Sequence, residues 1–254
     1  MATPCDPAVM EAAVEIAQAA GTNTLPWFQA HDLAVERKTD GTPVTEADRA
    51  TERIARELLT SRFPNDGVIG EEMAATPGSG DRTWYLDPID GTKAFTRGVP
   101  LYSTLLAASD REGALLGVIH LPALGETVWA GRGRGCWWDG KPAHVSDRAE
   151  LAGAYLMTSA VSHWPDGVLE RAMDARVGVR TWGDGYGYAL VATGRADAMV
   201  DPTAAVWDLA PMPVILGEAG GSFTDLGGSP SADGGSGLAT NGKIHDALLA
   251  LFAG

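Results

Sequence analysis

Apolar positions in the first sixty residues repeat at helical spacing. Val9, Met10, Ala13, Ile16, Ala17 and Ala20 follow Asp6-Pro7 and precede Gly21, which predicts a capped amphipathic helix with proline in its first turn. Thr45-Glu46-Ala47-Asp48 has capping-box spacing, with Asp in place of the usual Glu or Gln. It opens a second periodic segment through Ala50, Ile54, Leu58 and Leu59 that ends at Phe63-Pro64-Asn65-Asp66-Gly67. Short β-rich runs then predict strands at 68–69, 83–86, 103–108, 115–121 and 127–130. Beyond about residue 150 the pattern alternates: strand 155–158, helix 168–175, strand 177–182, helix 186–193, strand 198–200 and a helix opening at Trp207-Asp208. Such alternation predicts a layered α/β protein. Segments 74–81 and 227–237, rich in Gly, Ser and Pro, read as loops. One detail conflicts: Pro211 suits the first turn of that last helix, whereas Pro213 should break a hydrogen bond within it.

Composition narrows the function. Across 254 residues, 45% are hydrophobic and 20% charged, as in an ordinary globular protein. Acids outnumber bases 33 to 19, a formal charge of −14 with no basic stripe, so nucleic acid is a poor partner. An anionic ligand would therefore need bound cations or backbone N–H groups to attract it. Cys5 and Cys136 are too few for a disulfide framework, and no apolar run approaches the ~18 residues of a membrane span. The expectation is a cytoplasmic protein, soluble and unprocessed.

The chemistry concentrates in Trp84-Tyr85-Leu86-Asp87-Pro88-Ile89-Asp90-Gly91-Thr92. A strand runs into a carboxylate, a proline expected to stop the ladder, a second carboxylate and a glycine. Asp87, Asp90 and the Ile89 carbonyl can then converge as the oxygen set that hard cations favour. Glu71 closes an earlier strand-like segment and Asp208 opens the later helix, so four carboxylates can meet. Two unit charges ~4 Å apart repel by roughly 4 kcal/mol at an effective dielectric of about 20. Metal binding relieves that repulsion. Other motifs fail: Gly237-Leu238-Ala239-Thr240-Asn241-Gly242-Lys243 lacks the Ser or Thr of a P-loop and reads as a strand-to-helix loop. Gly131-Arg132-Gly133-Arg134-Gly135 lacks the last glycine of a dinucleotide fingerprint, and His31, His120, His144, His163 and His245 show no metal-ligand spacing.

Glu71, the Asp87–Thr92 segment and Trp207-Asp208, with Val44–Asp48 before them and Glu218-Ala219-Gly220-Gly221 after, occur in the order found in the inositol monophosphatase family, which this chain resembles over nearly its whole length. The resemblance implies an α/β (α+β) fold, a layered αβαβα sandwich of the inositol monophosphatase and sugar phosphatase type. It implies one catalytic domain over 1–254, with a metal-binding half (1–148) and a substrate-binding half (149–254), in a homodimer. It further implies two or three Mg²⁺ ions: one held by Glu71, Asp87 and the Ile89 carbonyl, a second by Asp87, Asp90 and Asp208. Thr92 and Asp48 would orient and help deprotonate the attacking water, and the N–H groups of Gly91 and Thr92 would bind phosphate.

Substrate choice falls to the second half. In Arg180-Thr181-Trp182-Gly183-Asp184-Gly185-Tyr186-Gly187-Tyr188, Asp184 lies where inositol phosphatases typically carry a small residue, and Asp201 falls where the family contacts the alcohol. Two acids, with Trp182 or Tyr186 as aromatic faces and Arg180 nearby, suit an ammonium or imidazolium better than a polyol. The stretch, with Trp207-Asp208-Leu209-Ala210-Pro211, resembles the histidinol-phosphate phosphatase branch, implying a small phosphate ester, L-histidinol phosphate, as substrate. The alternatives are an inositol-1-monophosphatase, another small-molecule phosphatase, or a catalytically silent metal- or phosphate-binding regulator.

Overall fold

The computed structural model describes residues 2–253. Helix α1 (Pro7–Thr22) begins as predicted, with the Asp6 carboxylate accepting from the Ala8 N–H. It continues through Gly21 to Thr22, and the glycine is required there for packing, since a Cβ would stand 2.5 Å from the His120 ring. A hairpin of two-residue strands, β1 (Glu36–Arg37) and β2 (Pro43–Val44), precedes α2 (Glu46–Arg62). The predicted capping box is present at the start of α2: Asp48 Oδ2 accepts from the N–H and the hydroxyl of Thr45, at 2.7 and 2.6 Å.

Next come β3 (Gly67–Gly70), β4 (Thr83–Asp90), the one-turn helix α3 (Thr92–Phe95), β5 (Ser103–Asp110), β6 (Gly113–Leu121), β7 (Glu126–Gly131), β8 (Cys136–Trp138) and β9 (Lys141–Pro142). They form a seven-stranded sheet in sequence order, parallel only between β3 and β4. Helices α1 and α2 cover one face of it, burying Ile16, Ala17 and Leu59 against Trp84, Leu106 and Leu116.

The second half contains β10 (Tyr155–Thr158), α4 (Val168–Asp174), β11 (Gly178–Arg180), α5 (Asp184–Ala192), β12 (Ala198–Asp201), α6 (Val206–Leu209), α7 (Met212–Glu218), β13 (Ser222–Thr224), β14 (Gly237–Thr240) and α8 (His245–Ala253). Its five strands run β11-β10-β12-β14-β13, with β10 parallel to both neighbours. Helices α5 and α7 lie between the sheets, packing Tyr188, Leu190, Met212 and Ile215 against Leu105 and Ile119 on one side and Met199 and Ala239 on the other. Helices α4 and α8 close the far face around Val168, Leu248 and Phe252. The layers therefore read α, β, α, β, α, as expected.

The structure corrects several local expectations. Pro88 does not stop the ladder: β4 continues to Asp90, and the register breaks between Asp87 and Asp90, a bulge that needs no N–H from proline. Pro211 and Pro213 do not share a helix with Asp208. The chain ends α6 at Leu209 and restarts with Pro211 as N-cap of α7, so both prolines fall where helical N–H groups have no intrahelical partner. The stretch read as a loop at 237–243 begins as strand β14. Among the described residues, no helix is long and apolar enough to cross a membrane.

Candidate active site

The site starts at the end of β4. Between Asp87 and Asp90, the Ile89 side chain is fully buried with Ala47, Phe95 and Tyr102, a burial worth roughly 1.5–3 kcal/mol. That anchor fixes the turn, and the Ile89 carbonyl accepts a hydrogen bond from the Thr92 hydroxyl at 3.0 Å. Asp87 Oδ1 accepts from the Ile89 N–H at 3.0 Å. Asp90 Oδ2 accepts from the Ser103 hydroxyl at 2.7 Å and from the Gly185 N–H, in the first turn of α5. Gly185 must be glycine for that approach, since a Cβ would stand 2.3 Å from Ser103 Oγ and 2.8 Å from Asp90 Oδ2. Gly91, at φ 81°, starts α3 with the first-turn N–H groups of Gly91 and Thr92 beside the cleft.

Asp208 completes the cluster. Its Oδ2 accepts from the Ala205 N–H at 2.8 Å, and oxygens of Asp87, Asp90 and Asp208 lie within 4.8 Å of one another. Burial pushes all three carboxyls up, Asp87 and Asp90 far above the usual range and Asp208 to about 6. Neighbouring acids add to it: Glu71 first for Asp87 and Asp208, Asp184 first for Asp90. Such a group is costly when ionised and unpaired. Crowded carboxylate oxygens beside a backbone carbonyl, with no soft ligand, fit a hard divalent cation such as Mg²⁺.

Glu71 lines the same cleft and adds to the raised pKa of Asp87, and it is also paired with Lys38 from the loop after β1. Lys38 Nζ lies 2.6 Å from Glu71 Oε1 and also donates to Glu72. Burial raises Glu72 to about 7 despite that contact. Asp48 is fully buried, its pKa raised by desolvation, and its Oδ1 is the acceptor 3.5 Å from the Thr92 hydroxyl. The structure thus brings Thr92 and Asp48 together from segments 44 residues apart. Sequence reasoning missed Lys38 and also Glu52, a fully buried acid that holds Arg56 and accepts from the N–H groups of Glu72 and Met73.

Asp184 and Asp201 form the opposite wall with Ser159, His163 and Thr203. Asp184 sits in the left-handed region at φ 53° as the first residue of α5, and its N–H donates to Ser159 Oγ at 3.0 Å. Asp201 accepts from Ser159 Oγ at 2.7 Å and from the buried Tyr188 hydroxyl at 3.0 Å, and burial pushes it up to about 7. Two expected substrate residues lie elsewhere. Arg180 stands over the Tyr155 ring on edge strand β11, and Trp182 is exposed; neither lines the cleft. Tyr186, partly buried, packs against the central core and is not among the residues lining the cleft, so neither aromatic lines the site. His163, which sequence spacing gave no role, lines the cleft instead. The cleft encloses about 230 Å³.

The model of the inositol monophosphatase family matches residues 7–253. This chain belongs to that family. Among the most similar relatives are a Mycobacterium tuberculosis protein named histidinol-phosphatase, 43% identical with 93% of this chain and 95% of the relative covered, and a Chlorobaculum parvum protein of the same name, 42% identical over 96% and 97%. Among solved structures, the extragenic suppressor protein suhB from Bartonella henselae superposes with a TM-score of 0.89 at 27% identity, covering 96% of this chain and 98% of that one.

Proposed function

We propose that the protein is a Mg²⁺-dependent phosphatase that hydrolyses L-histidinol phosphate to L-histidinol and phosphate, a step of histidine biosynthesis. One observation carries the reading: three crowded carboxylates suited to cations face two further acids, Asp184 and Asp201, across one small cleft. The names of the two relatives above support the same substrate.

Glu71, Asp87, the Ile89 carbonyl, Asp90 and Asp208 are the residues that would hold the cations, two or three in number. When bound, Mg²⁺ supplies the positive charge that acidifies an attacking water and offsets charge building on the phosphate and the leaving oxygen. The protein's own groups do the rest. The N–H groups of Gly91 and Thr92 hold phosphate oxygens at the start of α3. Thr92 orients the water and passes its proton to Asp48, whose raised pKa suits a base. The water oxygen bonds to phosphorus, the ester P–O bond breaks, and the departing alkoxide takes a proton from solvent. Asp184 and Asp201 complement the ammonium and imidazole of the alcohol.

Residues 1–254 act in this reading as one catalytic unit, a metal-binding half (1–148) and a substrate-binding half (149–254), assembled as a homodimer in the cytoplasm. A panel of phosphate esters assayed with Mg²⁺ tests the substrate. Histidinol phosphate should be preferred to inositol phosphate by at least about tenfold in kcat/KM. The opposite preference rejects it, and no turnover of any phosphomonoester hands the site to the silent regulator.

A further inference from the structure

Beside the catalytic cleft lies a second groove of about 470 Å³, formed by the hairpin loop and the helix that follows the Asp87–Asp90 turn. Arg37, Lys93 and Arg97 line it, and none of the three makes an ion pair among the described residues. Arg37 is tied only to its own hairpin, Nη1 donating to the Gly41 carbonyl at 2.8 Å, which leaves further N–H groups for a ligand. Pro43 and Lys93 belong to both cavities, so the two are contiguous. In a chain of charge −14, this is a local concentration of unpaired positive charge.

The neighbouring cleft is the reverse. Six carboxylates line it, those of Glu71, Asp87, Asp90, Asp184, Asp201 and Asp208, and Lys93 is the one Lys or Arg among its lining residues. A phosphate dianion approaching from solvent meets that field over roughly 10 Å at 0.1 M salt. Bound cations act at short range inside the cleft. Attraction at longer range has to come from the rim, and guanidinium forks are suited to phosphate oxygens.

We propose that Arg37, Lys93 and Arg97 form an anion-capture subsite that takes the phosphate group of the ester before it enters the cleft and inorganic phosphate as it leaves. The groove meets the cleft at Lys93, next in sequence to the Gly91 and Thr92 N–H groups proposed to hold phosphate, so it serves the phosphate end of the ester. This role rests on the phosphatase reading, but not on which alcohol is esterified.

The test compares R37Q, R97Q and their double variant with R111Q, which removes the same charge from an exposed arginine paired with Asp81 far from the groove. With an aryl phosphate and Mg²⁺, the double variant should lose about tenfold in kcat/KM, carried by KM, with a flatter dependence on salt and weaker inhibition by inorganic phosphate. R111Q should behave as the wild type. Wild-type KM and salt dependence in the double variant overturn the subsite, and so do equal losses in R111Q, which would mark an effect of net charge. Phosphorus NMR line width of inorganic phosphate with metal-free protein reads the groove without turnover. Broadening abolished in the double variant supports the subsite even if the enzyme assay fails, and no broadening with the wild type counts against it.

Discussion

The two walls of the cleft are built differently although both are acidic. On the first, Asp87 and Asp90 leave one strand at a bulge, and although each carboxylate accepts at least one N–H, their oxygens and one of Asp208 lie within 4.8 Å of one another. On the second, Asp201 has a hydroxyl on each oxygen, from Ser159 and Tyr188, and Asp184 has Lys93 nearby to ease its charge. Burial raises the pKa values of the acids on both walls, but among the described residues only on the first do three carboxylate oxygens converge as a cation site; the second has no such convergence and is left to meet a charged alcohol.

That contrast can be broken in order of effect. Asp90→Asn should cut turnover by about a thousandfold or more, while thermal unfolding of the metal-free variant occurs at the wild-type temperature or higher, since one repelling charge is gone. Normal turnover would remove Asp90 from the first wall. Gly185→Ala joins the walls badly: its Cβ must displace Ser103 or Asp90, so a loss of about a hundredfold in kcat and about 1–3 kcal/mol of stability is expected from kinetics and denaturant melts. Asp184→Ala should raise KM about tenfold for the amine-bearing ester and spare aryl phosphates; equal losses on both would make it structural.

The smallest effect is a pH trend. Asp87, Asp90, Asp208 and Asp201 all have raised pKa values when folded, so the folded state holds more protons than the unfolded one. Metal-free protein should lose stability as pH rises from about 4 through the folded values, about 6 for Asp208 and about 7 for Asp201. Saturating Mg²⁺ should therefore raise Tm by several degrees more at pH 8 than at pH 5, read by calorimetry. An equal rise at both would separate metal binding from these carboxylates.

Much of the first wall was legible because its chemistry is local. Asp87, Ile89, Asp90 and Thr92 sit within six residues, and the closeness of the carboxylates was readable although the proline proved to sit in a bulge of the strand rather than to end it. Asp48 was legible through its cap. Lys38 was not: it lies in the short hairpin of two-residue strands, and nothing nearby in sequence signals Glu71. Arg180 and Trp182 were misplaced for a related reason. Alternation puts them on a strand, but only the sheet order reveals that this strand is an edge whose arginine rests on Tyr155. Strands β8, β9 and β13, two or three residues each, carry too little pattern to register. The paired prolines looked contradictory because a single helix was assumed where the chain makes two.

The N–H that Gly185 lends to Asp90 crosses 95 residues of sequence. Neither partner can be set correctly before the other has been synthesised and folded against it. Catalysis in this molecule is thus a late property of the chain, and turnover per molecule doubles as a measure of how completely a preparation has matured.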